Sequence, residues 1–388
     1  MNRKQPLFKF DYSLIFIVFL LACISFLAIY NAPGTNGVRA IGSAYKQVFW
    51  YALGFALTAA IAFFDYDRLR RMHWLFYWFG MFMLIGLFFA KLGLPIPLAN
   101  NTNGAWSWYA FTSQLKLEPS EFMKIFLIIS LATVIDQHNE RYPIRGSHED
   151  WLLLRKIGIV SLPPFALVFV QPDLGMALLL FSIVVCMIIV SGVNWKFIAG
   201  MLTLITGALI FFAISWFKFP ALIDIVLAGH QKDRFLAWSD PYKYSSQEGF
   251  QLIQSLNSIG SGQFFHFGYN SAITLPEGNT DFIFAVIGGT FGFVGAVTVI
   301  ILYFLMISRI VRIAVDTHDP FGSYICTGII GMVMFQIFEN IGMTVQVMPI
   351  TGITLPFLSY GGSSLLASML CIGLIENIRM QTQRFMFD

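Results

Sequence analysis

Ten stretches of mostly apolar residues, each near the length that crosses a bilayer, dominate this chain of 388 residues. A spanning helix needs about 20 such residues. Charged residues make up only 12% of the chain, whereas soluble domains carry about 25%. The sequence therefore excludes a soluble protein and predicts an all-α polytopic membrane protein, folded as a single domain over residues 1–388. The predicted spans lie near 12–30, 47–64, 73–90, 120–135, 157–170, 175–192, 196–217, 282–307, 321–343 and 363–378.

Two of these stretches carry unusual local signals. The fifth contains Pro163 and Pro164, which are expected to break or kink its helix. The first follows a basic start, as a signal peptide would, but it is too long for one and is interpreted as a retained span. The four cysteines fall inside predicted spans without metal-type spacing, so they are interpreted as packing residues.

The distribution of basic residues predicts the orientation of the chain. Fifteen Lys and Arg residues lie on the side that carries both termini, and four lie in the short connections on the other side. Because cytoplasmic connections carry an excess of basic residues, both termini are expected in the cytoplasm. Residues 218–281 then form a long extracytoplasmic loop between the seventh and eighth spans. The net charge of +3 gives no reason to expect nucleic-acid binding.

The long loop contains a predicted amphipathic helix. Ser245 and Glu248 have the spacing of a capping box, and Gly260 is a possible end signal. The apolar residues that repeat between them are Phe250, Ile253, Leu256 and Ile259. This helix is expected to lie on the outer membrane surface or on the protein, and a purely structural role stays open.

Ionisable residues in or beside membrane spans are costly, which makes each of them a functional candidate. Glu121 and Lys124 stand three residues apart near the outer start of the fourth span, so they share a helix face and can pair. A purely structural ion pair is the rival interpretation. Glu339 lies in the ninth span, and Glu376 lies near the inner end of the tenth, where it is expected to reach water.

Two aspartates and one arginine lie in the outer connections. Asp173 precedes the sixth span, where capping the helix is the ordinary role of a carboxylate. Asp281 precedes the eighth span, but Asn279 or Thr280 can cap that helix, which leaves Asp281 freer for chemistry. Arg234 is a candidate phosphate ligand, with a solvated charge as the alternative.

The Pro-, Gly- and Ser-rich segment 349–364 is also unusual for a connection between spans. It is predicted to be irregular backbone that lines a cavity, which a membrane protein tolerates only where protein or water covers it. A plain outer loop is the alternative.

Six motifs follow one another along most of the chain. They occupy Gly104–Trp108, Glu118–Lys124, Gln171–Gly175, Gly249–Gly262, Leu275–Phe284 and Asn340–Ser364. Together with ten spans, they resemble the SEDS family, which contains RodA, FtsW and SpoVE. The resemblance implies a peptidoglycan glycosyltransferase of the cytoplasmic membrane. Its substrate is then lipid II, a disaccharide-pentapeptide on undecaprenyl pyrophosphate, and its partner a class B penicillin-binding protein. The short termini favour a RodA-like role in elongation and cell shape.

The chain departs from the family pattern at two places. Gly288, Gly289 and Thr290 stand where many members carry an acidic pair, which puts in doubt any metal site imagined there. Ser107 stands where many members carry arginine, so a phosphate contact from that position is not expected.

The resemblance and the residue chemistry suggest the same roles. Asp281 is expected to act as the base for the acceptor 4-hydroxyl group. Positive charge or a divalent cation, Mg²⁺ or Mn²⁺, is expected to stabilise the leaving pyrophosphate. The substrate-binding or supporting candidates are Glu121, Lys124, Arg234, Asp173 and Ser363.

Two other functions compete with the transferase. A lipid II flippase suits ten spans with buried charges, but the candidate residues gather on the outer face instead of along a path across the membrane. A noncatalytic scaffold for a penicillin-binding protein would need no cluster of ionisable residues.

Overall fold

The computed structural model describes residues 10–32, 41–102, 105–112, 116–219, 229–245, 248–268 and 273–387. Within these ranges the chain forms twelve helices and one small sheet. Each of ten long helices overlaps one of the predicted apolar stretches, so the all-α fold class is confirmed. These helices are α1 (Tyr12–Asn31), α2 (Ile41–Ala62), α3 (Tyr66–Lys91), α4 (Pro119–Arg141), α5 (Ser147–Val170), α6 (Leu174–Val190), α7 (Trp195–Lys218), α10 (Ile283–Asp316), α11 (Pro320–Thr344) and α12 (Gly362–Phe387).

Membrane crossing is supported for most of these helices. Seven of them are long and apolar enough to span a bilayer, and α6 is apolar but only 17 residues long. Helices α2 and α4 are not among the seven either. Helix α4 packs between α3, α5 and α11, and it buries polar side chains such as Ser130, Thr133 and Asp136. A helix enclosed by other helices need not be apolar all round, so the count of ten spans stays a prediction.

The alternating helices give the bundle two faces. The loop face carries the connection from α7 to α10, with the short helices α8 (Gly229–Ser239) and α9 (Glu248–Ser261). Parts of the predicted loop, residues 220–228, 246–247 and 269–272, lie outside the described residues, as does Gly104 of the first motif. The opposite face is called the terminal face. There Asp11, directly before α1, forms ion pairs with Arg309 of α10 and Arg379 of α12.

Of the two predicted effects of Pro163 and Pro164, a break in the fifth helix is wrong, and a kink stays a prediction. Helix α5 continues from Ser147 to Val170 with both prolines inside it. Pro164 has no N–H group to donate to the carbonyl of Val160, four residues earlier. The hydroxyl of Tyr77 on α3 donates to that carbonyl at 2.9 Å instead. A neighbouring helix thus satisfies the backbone group that proline leaves without a donor.

Replacing Tyr77 with phenylalanine is expected to destabilise the protein by about 1–3 kcal/mol, because a buried carbonyl loses its donor. The measurement is the thermal unfolding midpoint in detergent. Tyr45→Phe is the matched control, since Tyr45 is 65% exposed. Equal midpoints for Tyr77→Phe and the control would contradict this account of α5.

A three-stranded antiparallel sheet lies between α3 and α4, and the sequence analysis did not foresee it. Its strands are β1 (Ala99–Thr102), β2 (Ala105–Ala110) and β3 (Lys116–Leu117), in the order β1-β2-β3. The aromatic residues Trp106, Trp108 and Tyr109 favour a strand. The Tyr109 hydroxyl donates to the carbonyl of Met83 at 2.9 Å, which fixes the sheet to α3.

Helix α9 is the predicted amphipathic helix, and it packs on the protein. Ser255 donates to the carbonyl of Thr344 at 2.8 Å, and Ser258 donates to that of Ala285 at 2.9 Å. The crossing with α10 requires glycine, because a side chain at Gly288 or Gly289 would press against α9. Gly288 and Gly289, which stand in place of the acidic pair, therefore allow α9 and α10 to pack closely. The capping box of Ser245 and Glu248 stays a prediction, since 246–247 lie outside the described residues.

The segment between α11 and α12 is irregular and buried, as the sequence predicted for a protein-covered stretch. Four consecutive carbonyls, those of residues 356–359, accept side-chain hydrogen bonds from helices α10, α2, α1 and α2 in turn. The donors are Tyr303, Tyr51, Ser25 and Gln47. This non-helical backbone is therefore held in a defined shape without a sheet or helix of its own.

Helix α7 stands apart from the bundle. Within Trp195–Trp216 only the side chain of Ser215 is buried, and the others are half-buried or exposed. Near the loop face its Phe212 and Trp216 rings approach Phe235 of α8, with centroids 5.5 and 5.6 Å away. The side of α7 that faces the bundle is thus left largely open.

Candidate active site at the loop face

The site begins with a buried ion pair at the start of α4. Pro119 occupies the first turn of α4, where its missing N–H is not needed. Glu121 and Lys124 follow on one face and form an ion pair, with 3% and 0% of their side chains exposed. The predicted pairing is confirmed. A fully buried ammonium group requires a partner, and each charge here depends on the other.

Glu118 is a site residue that the sequence analysis passed over. Its carboxylate accepts hydrogen bonds from the Trp108 indole at 3.2 Å and from the Ser120 hydroxyl at 3.0 Å. Its backbone N–H donates to Ser363 Oγ at 3.2 Å, and Ser363 donates to the carbonyl of Lys116 at 3.2 Å. Ser363 therefore joins the start of α12 to the sheet and α4. The available signal was a glutamate directly before Pro119.

Glu118 has a strongly shifted acidity. Burial, together with the charges of Glu121 and Asp173, raises the pKa of this carboxyl group to about 8, although the Ser120 hydroxyl and Lys124 oppose the shift. A raised pKa beside other carboxylates marks a candidate functional site.

The wild-type protein is expected to lose stability as the pH rises, and Glu118→Gln is expected to make this loss smaller. A carboxyl group with a raised folded-state pKa stabilises fully below its ordinary value of 4.5, and this contribution is lost as the pH rises through about 8. The wild-type thermal midpoint should fall between about pH 5 and pH 9, and that of the variant should fall less. Glu140→Gln, which alters an exposed glutamate of α4, should keep the wild-type slope. An unchanged slope in Glu118→Gln would contradict the raised pKa.

Asp173 caps α6, as the sequence predicted, by accepting the Met176 N–H at 3.0 Å. Burial raises the pKa of Asp173, although this hydrogen bond opposes the rise. The charge of Glu121 raises the pKa, while those of Arg234 and Lys124 lower it. Asp173 therefore lies within electrostatic range of both the α4 pair and Arg234.

Arg234 and Asp281 meet at Gly352 of the irregular segment. Arg234 Nη1 donates to the carbonyl of Thr351 at 2.9 Å. A Cβ atom at Gly352 would stand 3.3 Å from Asp281 Oδ2 and 3.4 Å from Arg234 Nη1. Gly352 has φ of +79° and leaves this space open. The structure therefore brings a carboxylate and a guanidinium group to the same space beside one glycine.

The backbone around Asp281 is held from α11 and from the irregular segment. Asn340 Nδ2 donates at 2.7 Å to the carbonyls of both Asp281 and Ile353. Ser359 donates to the carbonyl of Thr280 at 2.7 Å. These bonds fix the position of Asp281 at the start of α10 independently of its side chain.

The expected capping of α10 by Asn279 or Thr280 is wrong. The N-cap is Phe282, which makes no side-chain capping bond, and Thr280 donates to Glu277 at 2.7 Å. Residues 277–282 form a turn before the helix, and the Thr280 side chain bonds to Glu277 within this turn. Asp281 does not serve as the cap either.

The two glutamates of the last spans differ in their distance from this cluster. Glu339 is 1% exposed in α11 and interacts with the side chain of Thr351, the residue whose carbonyl binds Arg234. The expectation that Glu376 reaches water is wrong: it is 0% exposed and accepts the backbone N–H of Asp11 at 2.8 Å. Glu376 therefore belongs to the network that attaches the start of α1 to α12 on the terminal face.

These features define a polytopic helical membrane protein with acidic and basic side chains gathered at one face. The chain belongs to the family of FtsW, RodA and SpoVE, because the family model described as "Cell cycle protein" matches residues 12–384. This confirms the SEDS resemblance.

Curated relatives match over nearly the whole chain. A probable peptidoglycan glycosyltransferase FtsW of Bacillus subtilis is 33% identical, covering 97% of this chain and 92% of the relative. Stage V sporulation protein E of the same organism is 31% identical, covering 95% and 96%. The peptidoglycan glycosyltransferase RodA of Treponema pallidum is 29% identical, covering 97% and 99%.

Solved structures share the fold. A chain from work on the structural coordination of polymerization and crosslinking by a peptidoglycan synthase complex superposes with a TM-score of 0.77 at 26% identity, covering 97% of this chain and 99% of that one. RodA of Thermus thermophilus has a TM-score of 0.66 at 24% identity, covering 95% and 96%. The latter comparison supports the fold alone.

Proposed function

We propose that this chain is a peptidoglycan glycosyltransferase that polymerises lipid II at its loop face. The observation that carries the proposal is the approach of Asp281 and Arg234 to the same space beside Gly352. A carboxylate that accepts a proton and a cation that binds phosphate are the two groups that this transfer requires. Relatives at 33% and 29% identity are named peptidoglycan glycosyltransferases.

The proposed reaction joins two lipid-linked sugars. The 4-hydroxyl oxygen of the acceptor attacks the anomeric carbon of the donor, and the bond from that carbon to the pyrophosphate oxygen breaks. Asp281 takes the proton of the hydroxyl group. Pyrophosphate is a good leaving group and needs charge stabilisation more than protonation, so one carboxylate suffices, unlike the pair in glycoside hydrolysis.

Cationic side chains stabilise the leaving group in this proposal. Arg234 presents a planar guanidinium group, which suits phosphate oxygens. Lys124, which is paired with Glu121, contributes positive charge within electrostatic range of Asp173. Glu118, Asp173 and Ser363 support the arrangement of α4, α6 and α12 around the substrate.

A divalent cation, Mg²⁺ or Mn²⁺, is the expected cofactor, and it would supply further charge at the pyrophosphate. Among the described residues, no three His, Cys, Asp or Glu side chains are arranged to hold a metal ion. No step is therefore assigned to a metal ion held by the described residues.

The proposed setting is the outer face of the cytoplasmic membrane, with both termini in the cytoplasm and lipid II approaching from the bilayer. The excess of Lys and Arg on the terminal side supports this orientation. We place the polyprenyl chain beside α7, because the apolar residues of this helix are little covered by the rest of the bundle. The partner is a class B penicillin-binding protein, consistent with the similarity to a chain of a peptidoglycan synthase complex.

The experiment is polymerisation of purified lipid II by the chain together with its partner, with penicillin present to block crosslinking. Glycan strands resolved on a gel support the transferase. If the complex binds lipid II but leaves it unpolymerised, translocation in vesicles tests the flippase. A chain that neither polymerises nor translocates lipid II would be a scaffold.

A further inference from the structure

Helix α10 is interrupted close to its loop-face end. Gly292 has φ of 68° and ψ of −163°, which are not helical values. The N–H groups of Phe293 and Val294, which follow the break, donate to the carbonyls of Gln263 and Phe264 at 2.9 and 3.2 Å. Gly268 donates to the carbonyl of Thr290 at 3.1 Å. The turn after α9, residues 263–268, is thereby bonded to α10 on both sides of Gly292.

The side chains of this turn are unusually exposed for aromatic residues. Phe264, Phe265 and Phe267 are 71%, 68% and 76% exposed, and Phe293 of α10 is 59% exposed. Phe264 stacks on Phe293 with ring centroids 5.9 Å apart. A contiguous aromatic patch of this kind marks an interaction site.

The lengths of α1 and α10 give the position of this patch along the axis of the bundle. Arg309 of α10 donates to Asp11 at 3.1 Å, directly before α1 begins on the terminal face. Helix α1 then rises through 20 residues, about 30 Å at 1.5 Å per residue. Phe293 precedes Arg309 by 16 residues, which gives a rise of at most about 24 Å. The patch therefore lies below the loop-face end of α1, at a level that lipid surrounds.

We propose that residues 263–268 form an aromatic anchor that inserts into the acyl chains of the loop-face leaflet. The occupant of the patch is the hydrocarbon of bilayer lipids. The phenyl rings of the turn enter the hydrocarbon, while the carbonyls of Gln263 and Phe264 and the N–H group of Gly268 are bonded to α10 and hold the backbone against it. The anchor holds α9 and the segment leading to Asp281 against the bundle. It does not depend on the transferase activity.

The test compares two introduced thiols in lipid nanodiscs, which expose both faces of the protein. Phe265→Cys places a thiol on the anchor. Tyr242→Cys places one at a residue that is 72% exposed beside the charged Lys243. Both are labelled with a membrane-impermeant maleimide, and labelling after unfolding in SDS gives the total. The wild type, with its four cysteines, supplies the background.

The Phe265→Cys thiol should react at least about tenfold more slowly than the Tyr242→Cys thiol, because lipid excludes the reagent. A bimane attached at the Phe265 position should be quenched by brominated lipid more than by iodide. Equal labelling rates, or stronger quenching by iodide, would overturn the proposal. If Phe265→Cys does not fold, Phe267→Cys carries the same two measurements.

Discussion

Replacing Asp281 with alanine is expected to lower the rate of glycan polymerisation about 10²–10⁴-fold, the range typical for loss of a general base. The substitution removes the proposed proton acceptor but leaves the surrounding bonds, since Asn340 and Ser359 hold this turn through backbone carbonyls. The folded protein and its complex with the partner should therefore remain. The measurement is the initial rate of polymer formation at saturating lipid II.

Asp233→Ala is the matched control, because Asp233 is an exposed aspartate beside Arg234 on α8. It should polymerise at close to the wild-type rate. Asp281→Asn separates charge from shape, since asparagine keeps the size of the side chain without its basicity. Normal polymerisation by either Asp281 variant would remove the proposed role of this residue.

Neutralising either member of the Glu121–Lys124 pair is expected to destabilise the protein by about 3–5 kcal/mol, because the other charge remains buried without its partner. Both side chains are almost fully enclosed. The double variant Glu121→Gln, Lys124→Met leaves no buried charge and should recover most of the stability. The thermal midpoints of the four proteins give the coupling between the two residues.

Activity in the same four proteins separates a functional pair from a structural one. If Lys124 supplies charge to the leaving pyrophosphate, the double variant should fold and remain inactive. Lys124→Arg, which keeps the charge, should retain partial activity if charge matters more than shape. A double variant that is both stable and active would reduce the pair to a packing element.

The parts of the fold that sequence predicted depend on local patterns. Apolar stretches of near-spanning length identified all ten long helices, because length and polarity decide whether a segment can cross lipid. The i, i+3 spacing of Glu121 and Lys124 predicted their pairing, and the position of Asp173 before α6 predicted its cap. Each of these depends on residues within one turn of helix.

The parts that sequence missed depend on contacts between distant segments. The proline pair in α5 is tolerated only because Tyr77 lies on a neighbouring helix. The position of Glu118 depends on its hydrogen bonds with Trp108 and Ser363. The meeting of Arg234 with Asp281 requires Gly352, from a third segment. No local pattern carries such information, so the sequence named most of the site residues without showing how they meet.

Release of undecaprenyl pyrophosphate from lipid II tests the central claim most directly, since every glycosidic bond in the proposed reaction frees one such molecule. The assay uses the wild-type complex and the Asp281→Ala complex, with penicillin present. We expect the wild type to release one undecaprenyl pyrophosphate for each disaccharide added, and the variant to release undecaprenyl pyrophosphate only at the background level. Lipid II that remains intact with the wild-type complex, while crossing vesicle membranes, would contradict the account and favour a flippase.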